Sequence, residues 1–298
     1  MSASAKGLWL GVAAMAMFGL TLPMTQLAIG TTDAPRLSPW FVTFGRGVVA
    51  AGLSTVLLLA TRSPWPQRPH WGPLAIAAVG NAIAYPLLLA WALRSVPTAH
   101  AAVVTALAPL MTAVVAALVM RQRVGPLFWA CAVAGCGLVV AFSLWRAQQA
   151  GHGFALVAED GWLAIAVLAA SVGYVFGARV TPALGAERTI CWVTLVALPV
   201  TLPGALLNWP TQAPEPVALA GFAYVSLFSM WAAFFAWYRA LALGDAVRVS
   251  QVQLLQPFFA MAFAWPLRGE RIELASLGFA AAVMVTVWLG RRSSAPSR

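Results

Sequence analysis

The chain has 298 residues, 61% of them hydrophobic and only 9% charged, with a formal net charge of +10. Soluble domains carry roughly a quarter of their residues as charges, so this composition excludes an ordinary soluble domain and points to an integral membrane protein. The excess of cations does not mark a nucleic-acid partner. They stand singly in loops and at helix ends, and the longest run is Arg291-Arg292.

Apolar windows of about 20 residues predict ten membrane spans. The first, 7–29, carries "FGLTLP" (Phe18 to Pro23) and is too long, with Pro23 inside, for a cleaved leader. The second, 39–61, holds Arg46 about seven residues, roughly 10 Å, from its end. A cation at that depth costs on the order of 2.5–3.5 kcal/mol on insertion scales. Arg46 attracts an anionic group such as a substrate carboxylate, or it snorkels or pairs with carbonyls; the sequence leaves these open. In the third, 72–93, Asn81 and Tyr85 share a face at i,i+4, beside Pro86.

The fourth window, 97–120, begins near His100, read as a structural residue close to the outer surface, and has Pro109 near its centre. The fifth is 125–145. The sixth, 160–179, sets Tyr174 between Gly173 and Gly177, a small-xxx-small segment that permits close helix approach. The seventh is 189–207. In the eighth, 217–243, Tyr224, Trp231 and Tyr238 recur every seven residues and predict one aromatic stripe, which serves packing or walls a partly apolar ligand. The ninth, 247–267, carries Gln253, Gln256 and Pro257 at its centre, and the tenth is 273–290.

With the N-terminus inside, the inner segments hold twelve cations and the outer ones five, which places both termini in the cytoplasm. No Asp or Glu lies deep in a window, so ion coupling has no evident seat. No Walker A loop occurs, which excludes an ATP-driven pump within this chain. Cys131, Cys136 and Cys191 all fall in spans without Cys-x-x-Cys spacing and read as packing residues. No metal, cofactor or nucleophile–base pair is expected, so the chain is read as not an enzyme.

Shifting the sequence by 148 positions lays residues 92–123 over 240–271 without a gap, pairing Leu107 with Leu255, Pro109 with Pro257 and Arg123 with Arg271. Two five-span halves, residues 1–148 and 155–298, follow. Five is odd, so the second half enters the membrane inverted, as in many secondary transporters. Each central proline frees the carbonyl four residues earlier, those of Thr105 and Gln253, at mid-membrane. Such groups are tolerated where protein or water satisfies them; a packing kink is the alternative.

The two repeats, "FGLTLP", Arg46, the paired prolines and "RGERIELASLGFAAA" from Arg268 resemble the drug/metabolite transporter superfamily, and within it the EamA-type carriers. "GER" at 269–271 fits the family junction, whereas its counterpart "RQR" at 121–123 has Gln122 in place of an acid. The tryptophan-rich layout is similar to that of YddG-type amino-acid exporters of bacterial inner membranes. The resemblance implies an all-α integral membrane protein with ten transmembrane helices, as two inverted five-helix repeats around a central cavity. It implies lining from spans one, three, four, six, eight and nine. The cargo implied is a small molecule, an aromatic or other neutral amino acid, moved out across the inner membrane.

The candidate substrate-binding set is Thr21, Pro23, Asn81, Tyr85, Thr105, Pro109, Tyr174, Trp231, Gln253, Gln256 and Pro257, with Arg46 a candidate for anion attraction. The lipid bilayer is the expected surroundings, a monomer the expected form, and nucleic acid no partner. Alternatives are a broad drug or cation extruder of the same fold, favoured by an acid in the cavity, and a non-transporting scaffold.

Overall fold

The computed structural model describes residues 3–122, 125–149, 151, 156–268 and 274–292. The Gly269-Glu270-Arg271 junction and Arg123 lie outside the described residues. Among those described, regular structure is helical, apart from an isolated bridge between Gly30 and Pro35. Eight segments of the described residues are long and apolar enough to cross a membrane: 5–29, 39–60, 68–95, 100–119, 126–149, 159–184, 186–207 and 216–243. They match the first eight windows to within a few residues. The ninth window falls on helical turns of changing type over Ala246–Arg268, and the tenth on a helix at Leu274–Arg292.

Prolines explain several starts. Pro39 opens α3 (Pro39–Ala60), Pro126 opens α8 (Pro126–Gln149) and Pro216 opens α11 (Pro216–Tyr224), where the missing N–H has no intrahelical partner to lose. Inside segments the same residue breaks the rod. The first segment is α1 (Ala3–Gly19) and α2 (Thr21–Ile29), divided at Leu20 just before Pro23. The fourth is α6 (Thr98–Thr105) and α7 (Ala108–Val119), where Leu107 N–H reaches back only to Val104 O and Pro109 follows.

The ninth is α13 (Ala246–Ser250), a 3₁₀ stretch over Gln251–Leu255, and α14 (Gln256–Arg268). Here one expectation is corrected. The Gln253 carbonyl is not free, because the tightened turn brings Gln256 N–H onto it. Before α13, Asp245 takes φ +68 and accepts from Val247 N–H at 3.2 Å. Burial pushes its carboxyl up from the usual range, against the pull of Arg248 and the Val247 N–H.

Two segments are interrupted by π-helix instead. The third runs α4 (Arg68–Ala78), a π stretch at Val79–Ala84 and α5 (Tyr85–Ser95). The eighth runs α11, a π stretch at Val225–Ala232 and α12 (Ala233–Leu243). Bonding to the fifth residue winds fewer degrees per residue than an α-turn. The seven-residue aromatic stripe is therefore corrected to three separate contacts. Tyr224 Oη donates to Met17 O at 2.7 Å, Trp231 Nε1 to Ser54 Oγ at 3.1 Å, and Tyr238 Oη accepts from Asn81 Nδ2 at 2.9 Å.

Packing pairs the segments across the chain. With α9 (Glu159–Leu184), α10 (Ala186–Leu207) and α15 (Leu274–Arg292), the contacts are α3 on α10, α8 on α15 and α7 on α13. The α1–α2 segment lies on α11–α12, and α4–α5 lies on α9. Glycines admit the close approaches. A Cβ on Gly173 would collide with the Asn81 amide, and one on Gly177 with the Tyr238 ring. Gly177→Ala is expected to cost about 1–3 kcal/mol through overpacking, read as a thermal unfolding midpoint lowered by several degrees in detergent. An unchanged midpoint would contradict that packing.

Candidate functional site

The breaks and π stretches converge on one small cavity near mid-bundle. The first segment gives it Phe18, Thr21 and Leu22, and α3 gives Arg46. Asn81 comes from the first π stretch, and Tyr85 opens the helix after it. Thr105 and Ala108 flank the α6–α7 break, while α9 contributes Val167, Ala170 and Tyr174. Ser229 comes from the second π stretch, Phe234 from α12, and Gln253 and Gln256 from the broken ninth segment. The free space is about 30 Å³. One water needs roughly 10–15 Å³ on that measure, so two or three waters fit and an amino acid requires the walls to part.

Most sequence-expected residues meet here: Thr21, Arg46, Asn81, Tyr85, Thr105, Tyr174, Gln253 and Gln256. Four others stand elsewhere. Pro23, Pro109 and Pro257 are not in the lining; each directly follows a lining residue, Leu22, Ala108 and Gln256, and shapes the wall through the backbone. Trp231 faces Ser54 on α3 and packs edge-on against Phe235 at 4.6 Å. The π winding carries it off the cavity face and brings in Ser229, which regular helical periodicity does not single out.

Polar side chains of the wall are mostly spoken for. Gln256 Nε2 donates to Phe18 O at 3.1 Å, which with Tyr224 on Met17 O covers two carbonyls at the break in the first segment. Gln253 Nε2 donates to Ser250 O at 3.2 Å, and Thr105 Oγ1 to Ala101 O at 2.9 Å. Arg46 is only 3% exposed, so it does not snorkel. Its Nη2 lies 3.3 Å from Ser229 Oγ, and that hydroxyl is 2.9 Å from Thr21 Oγ1.

Aromatic rings close one side of the cavity. Phe18 meets Phe234 edge-on at 5.4 Å, and Tyr174 packs on Phe234 at 5.8 Å and on Trp237 at 5.5 Å. Toward the other end, His100 Nε2 pairs with Asp160 Oδ1 at 2.7 Å, tying α6 to α9, and Thr98 donates to the Gln26 side chain. His100 therefore has the structural partner expected of it, an acid at the start of α9. Farther out, Arg36 bridges to Glu215 at 2.9 Å.

A model of the EamA-like transporter family matches residues 5–144 and again 158–290. The chain belongs to the EamA-like transporter family. The uncharacterized transporter YdeK of Bacillus subtilis (strain 168) is 36% identical over 284 residues, covering 95% of this chain and 96% of YdeK. A solved crystal structure of a protein superposes at TM-score 0.75 with 18% identity, over 97% of this chain and 99% of the other, a likeness of fold alone. Family membership makes the chain a multi-pass membrane transporter of the drug/metabolite type, and a transporter rather than an enzyme. In this EamA-like transporter polar side chains from several broken segments meet inside the bundle at the cavity.

Proposed function

We propose that this EamA-like transporter is a secondary carrier that exports a small metabolite, an amino acid with an aromatic or other neutral side chain, across a bacterial inner membrane by alternating access. Ten crossing segments form two inverted repeats, residues 1–148 and 155–298, with both termini cytoplasmic. The carrier works as a monomer.

The observation that carries the proposal is a polar cavity walled by interrupted segments from both halves. The double match of the family model supports the division into repeats. So does the packing. Exchanging each segment for its counterpart returns the same pairs: α3 with α10, α8 with α15, and α7 with α13 map onto themselves, while α1–α2 on α11–α12 maps onto α9 on α4–α5. The π stretches agree as well, since a shift of 148 lays 79–84 inside 225–232. Two similar halves meeting at a midplane site can exchange inward-open and outward-open roles. Phe18, Tyr85, Tyr174 and Phe234 give that site apolar faces suited to an aromatic or aliphatic side chain.

A drug or cation extruder of this fold calls for an acid in the cavity, and its charged lining residue is Arg46. The test is efflux from proteoliposomes loaded with labelled neutral and aromatic amino acids. Saturable efflux above the protein-free leak is the expected result. Leak-level rates for every amino acid overturn the proposal.

A further inference from the structure

Arg46 is a buried charge whose needs the protein leaves unmet. Its Nε is buried without a hydrogen-bond partner, and Nη2 has a single 3.3 Å contact with Ser229 Oγ. A serine hydroxyl offers a dipole and no compensating charge. A guanidinium kept inside a bundle for structural reasons is ordinarily paired with carboxylates or bonded to several carbonyls. Among the described residues, the cavity that Arg46 lines includes no Asp or Glu. The ion pairs among the described residues, Arg36–Glu215, His100–Asp160, Arg239–Glu187 and Arg248–Asp245, all involve other residues. The missing counter-charge therefore has to come from what enters the cavity.

We infer that Arg46, with the hydroxyls of Ser229 and Thr21, is the seat for a carboxylate carried by the cargo, and that it rejects cations lacking one. This rests on the transport proposal for the cargo's entry and deepens it by naming the group that is recognised. Guanidinium and carboxylate are matched in shape and charge, and a paired contact satisfies both partners. Ser229 and Thr21, 2.9 Å apart, have hydroxyls to turn toward the same oxygens. From the ninth segment, Gln253 and Gln256 donate their Nε2 groups to main-chain carbonyls, which leaves their amide oxygens to accept from a cargo N–H. The lining thus combines a cation and hydroxyl donors with amide acceptors, the complement of an amino-acid zwitterion.

The test compares three probes that differ in one group each: L-phenylalanine, 3-phenylpropionate without the ammonium, and phenethylamine without the carboxylate; L-threonine adds a second carboxylate class. Binding to purified protein is read as a ligand-induced rise in unfolding temperature, and efflux is read separately in proteoliposomes. One or more of the carboxylates is expected to stabilise the wild type, whereas phenethylamine does not. Arg46→Gln is expected to weaken carboxylate binding about tenfold or more, and Arg46→Lys to retain part of it. Equal binding of phenethylamine, undiminished carboxylate affinity in Arg46→Gln, or no binding of any carboxylate to the wild type overturns the inference. If Arg46→Gln does not fold, the wild-type comparison of acid with amine still decides. Carboxylate binding without efflux contradicts the transport proposal and leaves the seat standing; saturable efflux of L-phenylalanine that is undiminished in Arg46→Gln does the reverse.

Discussion

Replacing both Pro109 and Pro257 by alanine is expected to lower the initial efflux rate about tenfold or more while leaving the protein inserted and at least as heat-stable as the wild type. Alanine restores an N–H at each position. The new amide at 109 can claim the Thr105 carbonyl, and that at 257 competes with Gln256 N–H for the Gln253 carbonyl. The bond regained at 109 is worth roughly 0.5–1.5 kcal/mol; at 257 one donor replaces another, and with the ring clashes relieved at both positions the rods are biased toward straight conformations by about 1–3 kcal/mol. A bias of 1.4 kcal/mol is a tenfold change in population. Slower efflux with an undiminished melting temperature is the signature. Wild-type rates in the double variant would show that the breaks serve packing only.

The second large effect concerns the wall itself. Gln253→Leu and Asn81→Leu are each expected to reduce efflux about tenfold, because each removes a polar group from the cavity without a large change in volume. The two differ in stability. Asn81 Nδ2 donates to Tyr238 Oη at 2.9 Å in a buried contact, so Asn81→Leu leaves that hydroxyl stranded, at a cost of about 1–3 kcal/mol. Tyr238→Phe separates the roles. It breaks the same bond, yet Tyr238 does not line the cavity, so efflux in Tyr238→Phe is expected to exceed that in Asn81→Leu. Equal rates in those two variants would make Asn81 a structural partner alone.

What the sequence revealed, and what it hid, follows from which forces act locally. Runs of apolar residues are a local signal, and eight of the ten windows coincide with helical segments long and apolar enough to cross a membrane. Prolines are local too, and each of the breaks at Leu20, at residues 106–107 and at Gln251–Leu255 lies beside one. The π stretch before Pro86 has a proline next to it, but the one over Val225–Ala232 has none. There the winding depends on contacts from other segments, Tyr224 on Met17 and Trp231 on Ser54 among them.

That single irregularity explains the main misplacement. A period of 3.6 carried through residues 224–238 groups Trp231 with Tyr224 and Tyr238, whereas the π turns carry Trp231 to the α3 side and Ser229 to the cavity. Arg46 was recognisable by depth, since an Arg inside an apolar run is costly wherever it points. Its surroundings were not, because Ser229 and Thr21 come from distant parts of the chain. His100 likewise read as a lone histidine until folding brought Asp160 within 2.7 Å.

The most direct test asks whether the broken rods face water or lipid. Thr105→Cys, in a protein whose Cys131, Cys136 and Cys191 are replaced by alanine, puts one thiol on the cavity wall at the α6–α7 break. Labelling by a membrane-impermeant thiol reagent is measured from each side of the membrane, with and without saturating transported amino acid. Reaction from at least one aqueous side, slowed by the amino acid, is the predicted result. A thiol that stays unlabelled from both sides, whatever amino acid is present, would mean that the break faces acyl chains, and the two halves do not enclose a transport site there.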